Sequence, residues 1–318
     1  MFRNRFYIIC FGIWIITGAC SSFFFIKRNQ FGNYTLRSSY DDLYPQGGTD
    51  QKELTKWQKS WQQYSSDEKE AGKKLSAIEA GIEENEPVLS KTVKIGEWLI
   101  RSFWDCPSGQ PVDSVNKLRP IELYKVAKAL HSPVWCGTYS SLFLFFCICH
   151  NITCRYIESI GGPDHHVVNE CYIPELRQWI IIDLTHKILN ASDDKGNYLN
   201  SGDIIMSYKE DHRRNINVLY MKGISEMTHS TINSIKTEWE QYLGKKNTLR
   251  YYYVIDLKMV YTAREKIKRY LFPGGWYEIF PADNNSNTLF YIRSSLLFVW
   301  LLISIFIILK FFIFNRKH

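Results

Sequence analysis

Two uncharged apolar stretches near opposite ends of the 318-residue chain restrict its fold more than any other feature. Residues 6–26 lie between Arg5 and Lys27. Residues 294–309 follow Arg293 and are extended by 311–314 beyond Lys310. About 20 helical residues cross the hydrocarbon core of a bilayer, so both stretches are expected to be transmembrane helices. Lys310 can snorkel to the interface. The alternative, a buried core helix, fits the length and the charged flanks less well.

A cleaved signal peptide would begin in a similar way, and Thr17-Gly18-Ala19-Cys20 bears a faint likeness to a lipoprotein processing site. Thr17 stands where such sites carry an aliphatic residue, so simple anchoring is preferred. Arg3 and Arg5 at one end and Arg316 and Lys317 at the other place both termini in the cytoplasm under the positive-inside rule. The body is then extracytoplasmic, and periplasmic in a Gram-negative organism. Lys27 and Arg28 oppose the first assignment, but two spans keep the termini on one side.

These ends also account for the net charge of +7. Of the 39 Lys and Arg residues, eight flank the apolar stretches: Arg3, Arg5, Lys27, Arg28, Arg293, Lys310, Arg316 and Lys317. The remaining 31 face 32 acidic residues. A nearly neutral body gives no electrostatic basis for nucleic-acid binding. The bilayer is the partner the ends imply.

Between the spans, residues 29–48 read as a polar juxtamembrane linker. In 49–85, Leu54, Trp57, Trp61, Tyr64, Leu75, Ile78 and Ile82 recur at three- and four-residue steps and predict helices. A further helix is expected over 88–104, with Val93, Trp98 and Leu99 toward a core and Ile95 and Phe103 widening the stripe, and another from Pro120 to about residue 131. Trp135-Cys136-Gly137 then opens a strongly apolar helix. Strands are expected at 155–160, 166–173 and 179–184, the last two as a hairpin, with a loop at 161–164. Residues 185–208 read as loop. A strand is expected at 251–254 and a basic helix at 262–270. Helices followed by antiparallel strands make an α+β arrangement. The division expected is an anchor at 1–28, a linker and helices at 29–86, a core at 87–210, an extension at 211–288 and a second anchor at 289–318.

Eight cysteines are present, two of them, Cys10 and Cys20, in the first apolar stretch. Cys106, Cys136, Cys147, Cys149, Cys154 and Cys171 do not form a dense disulfide scaffold. Cys147 and Cys149 are two apart on a helix and point to different faces, which argues against a CxC metal site. Asp164, His165, His166 and Cys171 include two adjacent strand histidines that diverge, which argues against a metal site there. No cofactor and no metal are expected. His150 and His186 show no partner pattern and read as structural.

Thiol catalysis needs a thiolate, a base beside it and a group that orients the base. Cys136 at a helix N-terminus sits at the positive end of the helix dipole, which favours a thiolate. A His on an adjoining strand can take the thiol proton, and an Asp across a hairpin can hold the imidazole.

The segments around these residues bear a family likeness. Trp-Cys-Gly-Thr-Tyr-Ser-Ser-Leu-Phe, Asn-Ile-Thr-Cys-Arg-Tyr-Ile, His-Val-Val-Asn-Glu-Cys-Tyr and Gln-Trp-Ile-Ile-Ile-Asp-Leu-Thr occur in that order. Together they resemble the core of bacterial transglutaminase-like proteins, which have a papain-like fold. The likeness covers residues 88–190, about a third of the chain. It implies Cys136 as nucleophile, His166 as base and Asp183 as orienting acid. His166 rather than His165 takes the base position because Asn169, Glu170 and Tyr172 then fall in register. Eukaryotic crosslinking transglutaminases carry Trp after the Cys, whereas here Trp135 precedes it and Gly137 follows. That departure weighs against protein crosslinking and leaves amide hydrolysis or transfer, on peptide, protein or cell-wall material. The competing expectation is a non-catalytic transglutaminase-like scaffold held at the membrane.

Overall fold

The computed structural model describes residues 2–26, 37–160, 165–210, 216–235, 239–244, 248–253, 277–281 and 287–315. The expected loop at 161–164, the expected basic helix at 262–270, residues 29–36 of the linker and the flanking cations Lys27, Arg28, Arg316 and Lys317 lie outside them. In chain order the helices are α1 (Phe2–Ile26), α2 (Tyr40–Leu43), α3 (Gln51–Trp57), α4 (Ser66–Ala80), α5 (Val88–Ser102), α6 (Asp113–Asn116), α7 (Pro120–Ala129), α8 (Cys136–Cys149), α9 (Ser201–Lys209), α10 (Trp239–Leu243) and α11 (Thr288–Asn315). The strands are β1 (Cys154–Ile160), β2 (His166–Ile173), β3 (Gln178–Ile182), β4 (Ile188–Ser192), β5 (Asn217–Gly223), β6 (Glu226–Thr231), β7 (Thr248–Tyr252) and β8 (Tyr277–Pro281). The arrangement is α+β.

Local chemistry sets the element boundaries. Ser65 caps α4 by accepting from Glu68 N, and Gly81 ends it at φ +65°. Pro120 opens α7, where its missing N–H costs nothing. In α8, residues from Thr138 to Cys149 are all buried, so the helix is apolar on every side and must be surrounded. It packs on β1 and β2 on one side and on α4, α5 and α7 on the others.

The main sheet has the order β3-β2-β1-β7-β8, antiparallel throughout, and β4-β5-β6 form a smaller sheet. Every residue of β2 is buried, because both faces of the main sheet are covered. Period-two alternation divides the side chains. Cys154, Cys171, Ile173, Ile180 and Ile182 join the helical core around α8, while Ile157, Val168, Tyr172, Trp179, Ile181 and Tyr251 join a second core on the other face. Fully burying one such large aliphatic or aromatic side chain contributes about 1.5–3 kcal/mol.

A charged pair is enclosed in the second core. Arg155 and Glu170 oppose each other in the β1–β2 register, both essentially inaccessible, with Nη1 and Oε2 3.5 Å apart. The guanidinium carbon lies 3.5 Å from the Trp179 ring centroid and 4.2 Å from that of Trp57, and Nη2 donates to Leu43 O at 3.0 Å. Glu170 Oε1 accepts from Tyr44 OH at 2.8 Å and from Ser201 N at 2.6 Å. The motif residues Arg155 and Glu170 therefore tie β1, β2, α2 and α9 together.

Three expectations are corrected. Residues 185–208 are not loop throughout: 188–192 form β4 and 201–208 belong to α9, which is opened by a reciprocal cap between Asn200 and Asp203, while the residues between stay irregular. Ile78 is 82% exposed and does not belong to the apolar stripe of α4, whereas Ile82 beyond it is buried. The strand near 251–254 runs earlier, as β7, and pairs with β1.

Among the described residues, one helix, Phe290–Lys310 within α11, is long and apolar enough to cross a membrane, with a mean hydropathy of 2.4 and 6% of it buried. The N-terminal apolar helix Ile8–Phe23 is shorter. The two pack together. Trp14 stacks on Trp300 at 6.2 Å and donates from Nε1 to Ser304 Oγ at 2.8 Å. A Cβ on Gly18 would stand 2.8 Å from Trp300 Nε1, so the absent side chain is what admits the indole. Ile8, Ile9, Phe298 and Ile305 on their outer faces are exposed.

Candidate active site

Cys136 is the first residue of α8. Trp135 before it is extended, at φ −121° and ψ 177°, and the first intrahelical bond joins Tyr139 N to Trp135 O at 3.1 Å. The N–H groups ahead of Tyr139 have no partner within the helix and face outward from its positive end. The helix start is tied to the sheet. Ser140 Oγ donates to Val167 O at 3.3 Å, and Asn169 Nδ2 donates to Ser140 O at 3.3 Å and to Arg155 O at 3.2 Å. These bonds place α8 against the beginning of β2, where His165 and His166 sit. Cys136 Sγ lies 4.0 Å from His165 O.

The two histidines separate as alternation requires. The His165 side chain is 73% exposed, with Nδ1 3.4 Å from Glu158 Oε1. His166 is 4% exposed, with Nε2 2.9 Å from Asp183 Oδ2, and its ring is close enough to Cys136 for the thiol to influence it. That geometry leaves Nδ1 for the sulfur. Asp183 follows β3, continuing the β2–β3 register so that it opposes Val168, and His166 is its diagonal neighbour on that face. A bridge between Asp183 and Ile188, with N···O distances of 2.9 and 2.8 Å, fixes the backbone there. The structure thus brings Cys136, His166 and Asp183 together and turns His165 away.

Three further residues reach the same carboxylate or imidazole. His186 Nδ1 lies 2.7 Å from Asp183 Oδ2, and His186 N donates to Asp183 Oδ1 at 3.3 Å. Trp239, buried in α10, donates from Nε1 to Asp183 Oδ2 at 2.7 Å. Tyr242, one turn later, stacks on His166 with ring centroids 4.5 Å apart and planes 26° apart. The structural-only reading of His186 is therefore corrected: a tight turn returns its imidazole to Asp183. An Asp-x-x-His spacing was the available signal. Trp239 and Tyr242 carried none, because they reach the site from a distant segment.

The electrostatics follow from this packing. Burial by itself pushes the His166 imidazolium down, but the Asp183 charge and hydrogen bond, with Cys136 adding to them, raise it from 6.5 to about 10. Burial pushes the Asp183 carboxyl up, yet His166 and His186 hold it well below the usual carboxylate range. A protonated His166 donates Nε2–H to the Asp183 carboxylate.

His166, Asp183 and His186 also have the donor types of a metal site. Ligands on a tetrahedral metal with bonds of about 2.1 Å stand roughly 3.4 Å apart. The 2.9 and 2.7 Å separations here are those of direct hydrogen bonds. Next to Cys136, the Trp135 indole edge rests on Gly137, whose Cβ would lie 3.3 Å from Nε1. Trp135 Nε1 is buried and has no hydrogen-bond partner among the described residues.

No protein-family model matches the chain, and no curated protein matches it. A solved structure described as "a Putative Cysteine Protease" from Cytophaga hutchinsonii aligns over 44% of this chain and 44% of that chain, at 22% identity and a TM-score of 0.30. An overlap spanning less than half of either chain at that score establishes neither fold nor activity for this protein.

Proposed function

We propose that this chain is a membrane-tethered cysteine hydrolase or acyl-transferase that acts on an amide in peptide, protein or cell-wall material. Cys136 is the nucleophile, His166 the base and Asp183 the group that orients and charges the base. The observation that carries the reading is the buried His166 held by Asp183 Oδ2 at 2.9 Å beside Cys136 at the start of α8, with His165 in solvent. A cysteine buried only for packing needs no such partner.

In the proposed reaction the Cys136 sulfur attacks the amide carbonyl carbon. Negative charge develops on the carbonyl oxygen, toward the Cys136 N–H at the helix N-terminus. The unpartnered Trp135 Nε1 is the side chain suited to a second donor. Collapse breaks the C–N bond, His166 gives its proton to the departing amine, and a thioester remains on Cys136. Water or an acceptor amine then attacks the thioester, loses its proton to His166 and frees the thiol. Asp183 keeps one ring tautomer and stabilises the imidazolium throughout.

The tether is part of the proposal. α11 supplies the span-length helix and α1 packs against it. Basic residues at both extreme ends favour cytoplasmic termini and an extracytoplasmic body. The strands β7 and β8 lie beyond the segment that resembles the transglutaminase-like core, and they supply two strands of the main sheet.

Trapping tests the reading. Membranes carrying the full chain are treated with a thiol-directed probe or an activated acyl donor, and adducts are mapped by mass spectrometry. The expected result is an adduct on Cys136 that disappears in Cys136→Ala and accumulates as a natural acyl group when deacylation is slowed. Labelling spread over other cysteines, with none favoured at Cys136, would support the scaffold reading instead.

A further inference from the structure

A second group of sulfur side chains sits at the far end of the helix that begins with Cys136. Cys147 lies in the last turn of α8, Cys154 begins β1 and Cys171 is in β2, with 0%, 2% and 0% exposure. Their Sγ atoms all lie within 4.8 Å of one another, and Cys147 and Cys171 are 3.8 Å apart. Cys154 and Cys171 oppose each other across the sheet. Tyr172 N donates to Thr153 O at 2.9 Å, which makes the adjacent pair the hydrogen-bonded one. Cys154 and Cys171 therefore fall at the closer, non-hydrogen-bonded position, where side chains converge.

We propose that Cys147, Cys154 and Cys171 form a structural site for a thiophilic closed-shell metal ion, Zn²⁺ or Cu⁺, that clamps α8 to β1 and β2. Sulfurs bound at about 2.3 Å stand roughly 3.8–4.0 Å apart in tetrahedral or trigonal geometry. The measured 3.8 Å has that spacing, whereas a disulfide requires about 2.05 Å. Each thiol gives its proton to solvent as its bond to the metal forms, and no electrons are transferred. Three thiolates leave one net negative charge around Zn²⁺ and two around Cu⁺. Burying charge in a dry core is costly, so Zn²⁺ is the expected ion. Cys149 takes no part, since it faces Gly72 of α4. The site departs from the sequence expectation of no metal because its ligands come from three elements. It does not depend on the catalytic reading.

The experiment uses the full chain purified in detergent without metal-affinity steps. Elemental analysis is expected to find about one zinc per chain, retained during dialysis against a chelator and released on denaturation. Cys171→Val keeps an apolar side chain of similar size and is expected to weaken zinc affinity at least about 100-fold, while Cys149→Val retains the ion. Copper with the same stoichiometry and the same dependence on Cys171 also supports the site. If Cys171→Val does not fold, the metal content of the native wild-type chain decides, with a thiol count on the denatured chain to detect a disulfide. Metal-free protein with three free thiols, or with a disulfide among them, overturns the proposal.

Discussion

Replacing Asp183 with Asn is expected to lower amide turnover through Cys136 by about 10⁴-fold, or roughly 5.5 kcal/mol of transition-state stabilisation. The cause is that Oδ2 serves His166, His186 and Trp239 together, at 2.9, 2.7 and 2.7 Å. Asn retains one acceptor oxygen but has no charge with which to hold an imidazolium. The measurement is kcat on the substrate identified by trapping, below the variant's unfolding temperature, because mispaired buried donors cost about 1–3 kcal/mol of stability. Proton occupancy of His166 gives an independent check by ¹⁵N NMR. In the wild type the ring is expected to stay protonated until about pH 10. In Asp183→Asn the raising charge is gone while burial remains, so the titration moves down. The sign for stability follows. His166 has a folded value raised above 6.5, so its contribution is complete below about pH 6.5 and is lost as pH rises through about 10. Trp239→Phe removes one donor from Oδ2 without removing charge, and a smaller loss is expected.

The second large effect concerns the fold. Arg155→Ala is expected to destabilise the body by about 3–5 kcal/mol, because Glu170 would remain buried without its cation. Burial already pushes the Glu170 carboxyl above its usual range, with Arg155 as the main opposing influence. The reverse change, Glu170→Ala, strands the guanidinium between Trp57 and Trp179, leaves Ser201 N without its acceptor and leaves Tyr44 OH only its contact with Tyr251 OH at 2.6 Å. The double variant Arg155→Met with Glu170→Leu removes both charges and should cost less than the two single effects combined. Urea titration of the detergent-solubilised chain, followed by tryptophan fluorescence, measures each midpoint. Additive losses would contradict the coupling.

Much of this was legible in the residues. The apolar run after Cys136 required a helix enclosed on all sides, and α8 is that helix. Alternation put His165 and His166 on opposite faces, the register of Asn169, Glu170 and Tyr172 in the family likeness chose His166, and the hairpin put Asp183 within its reach. The losses have physical causes. The Asn-, Ser- and Asp-rich composition of 185–208 suggested loop, although Asn200 and Asp203 three residues apart are a helix-start signal that marked α9. Ile78 fitted a three-and-four pattern, but α4 buries a narrow stripe and leaves it in solvent. Trp239, Tyr242 and the Cys147–Cys154–Cys171 group depend on long-range packing, which local periodicity does not encode.

Cys106 and Cys136 are both half-buried in the body of the chain, so they offer an internal comparison for the central claim that His166 activates Cys136. The direct measurement is the iodoacetamide alkylation rate of each cysteine near neutral pH, resolved by peptide mass spectrometry in the wild type, His166→Gln and His165→Gln. Thiolate content and access set such rates. The expected result is that Cys136 reacts fastest, slows by at least about tenfold in His166→Gln, and keeps its rate in His165→Gln. A Cys136 rate no higher than that of Cys106 and unchanged by His166→Gln would contradict the account.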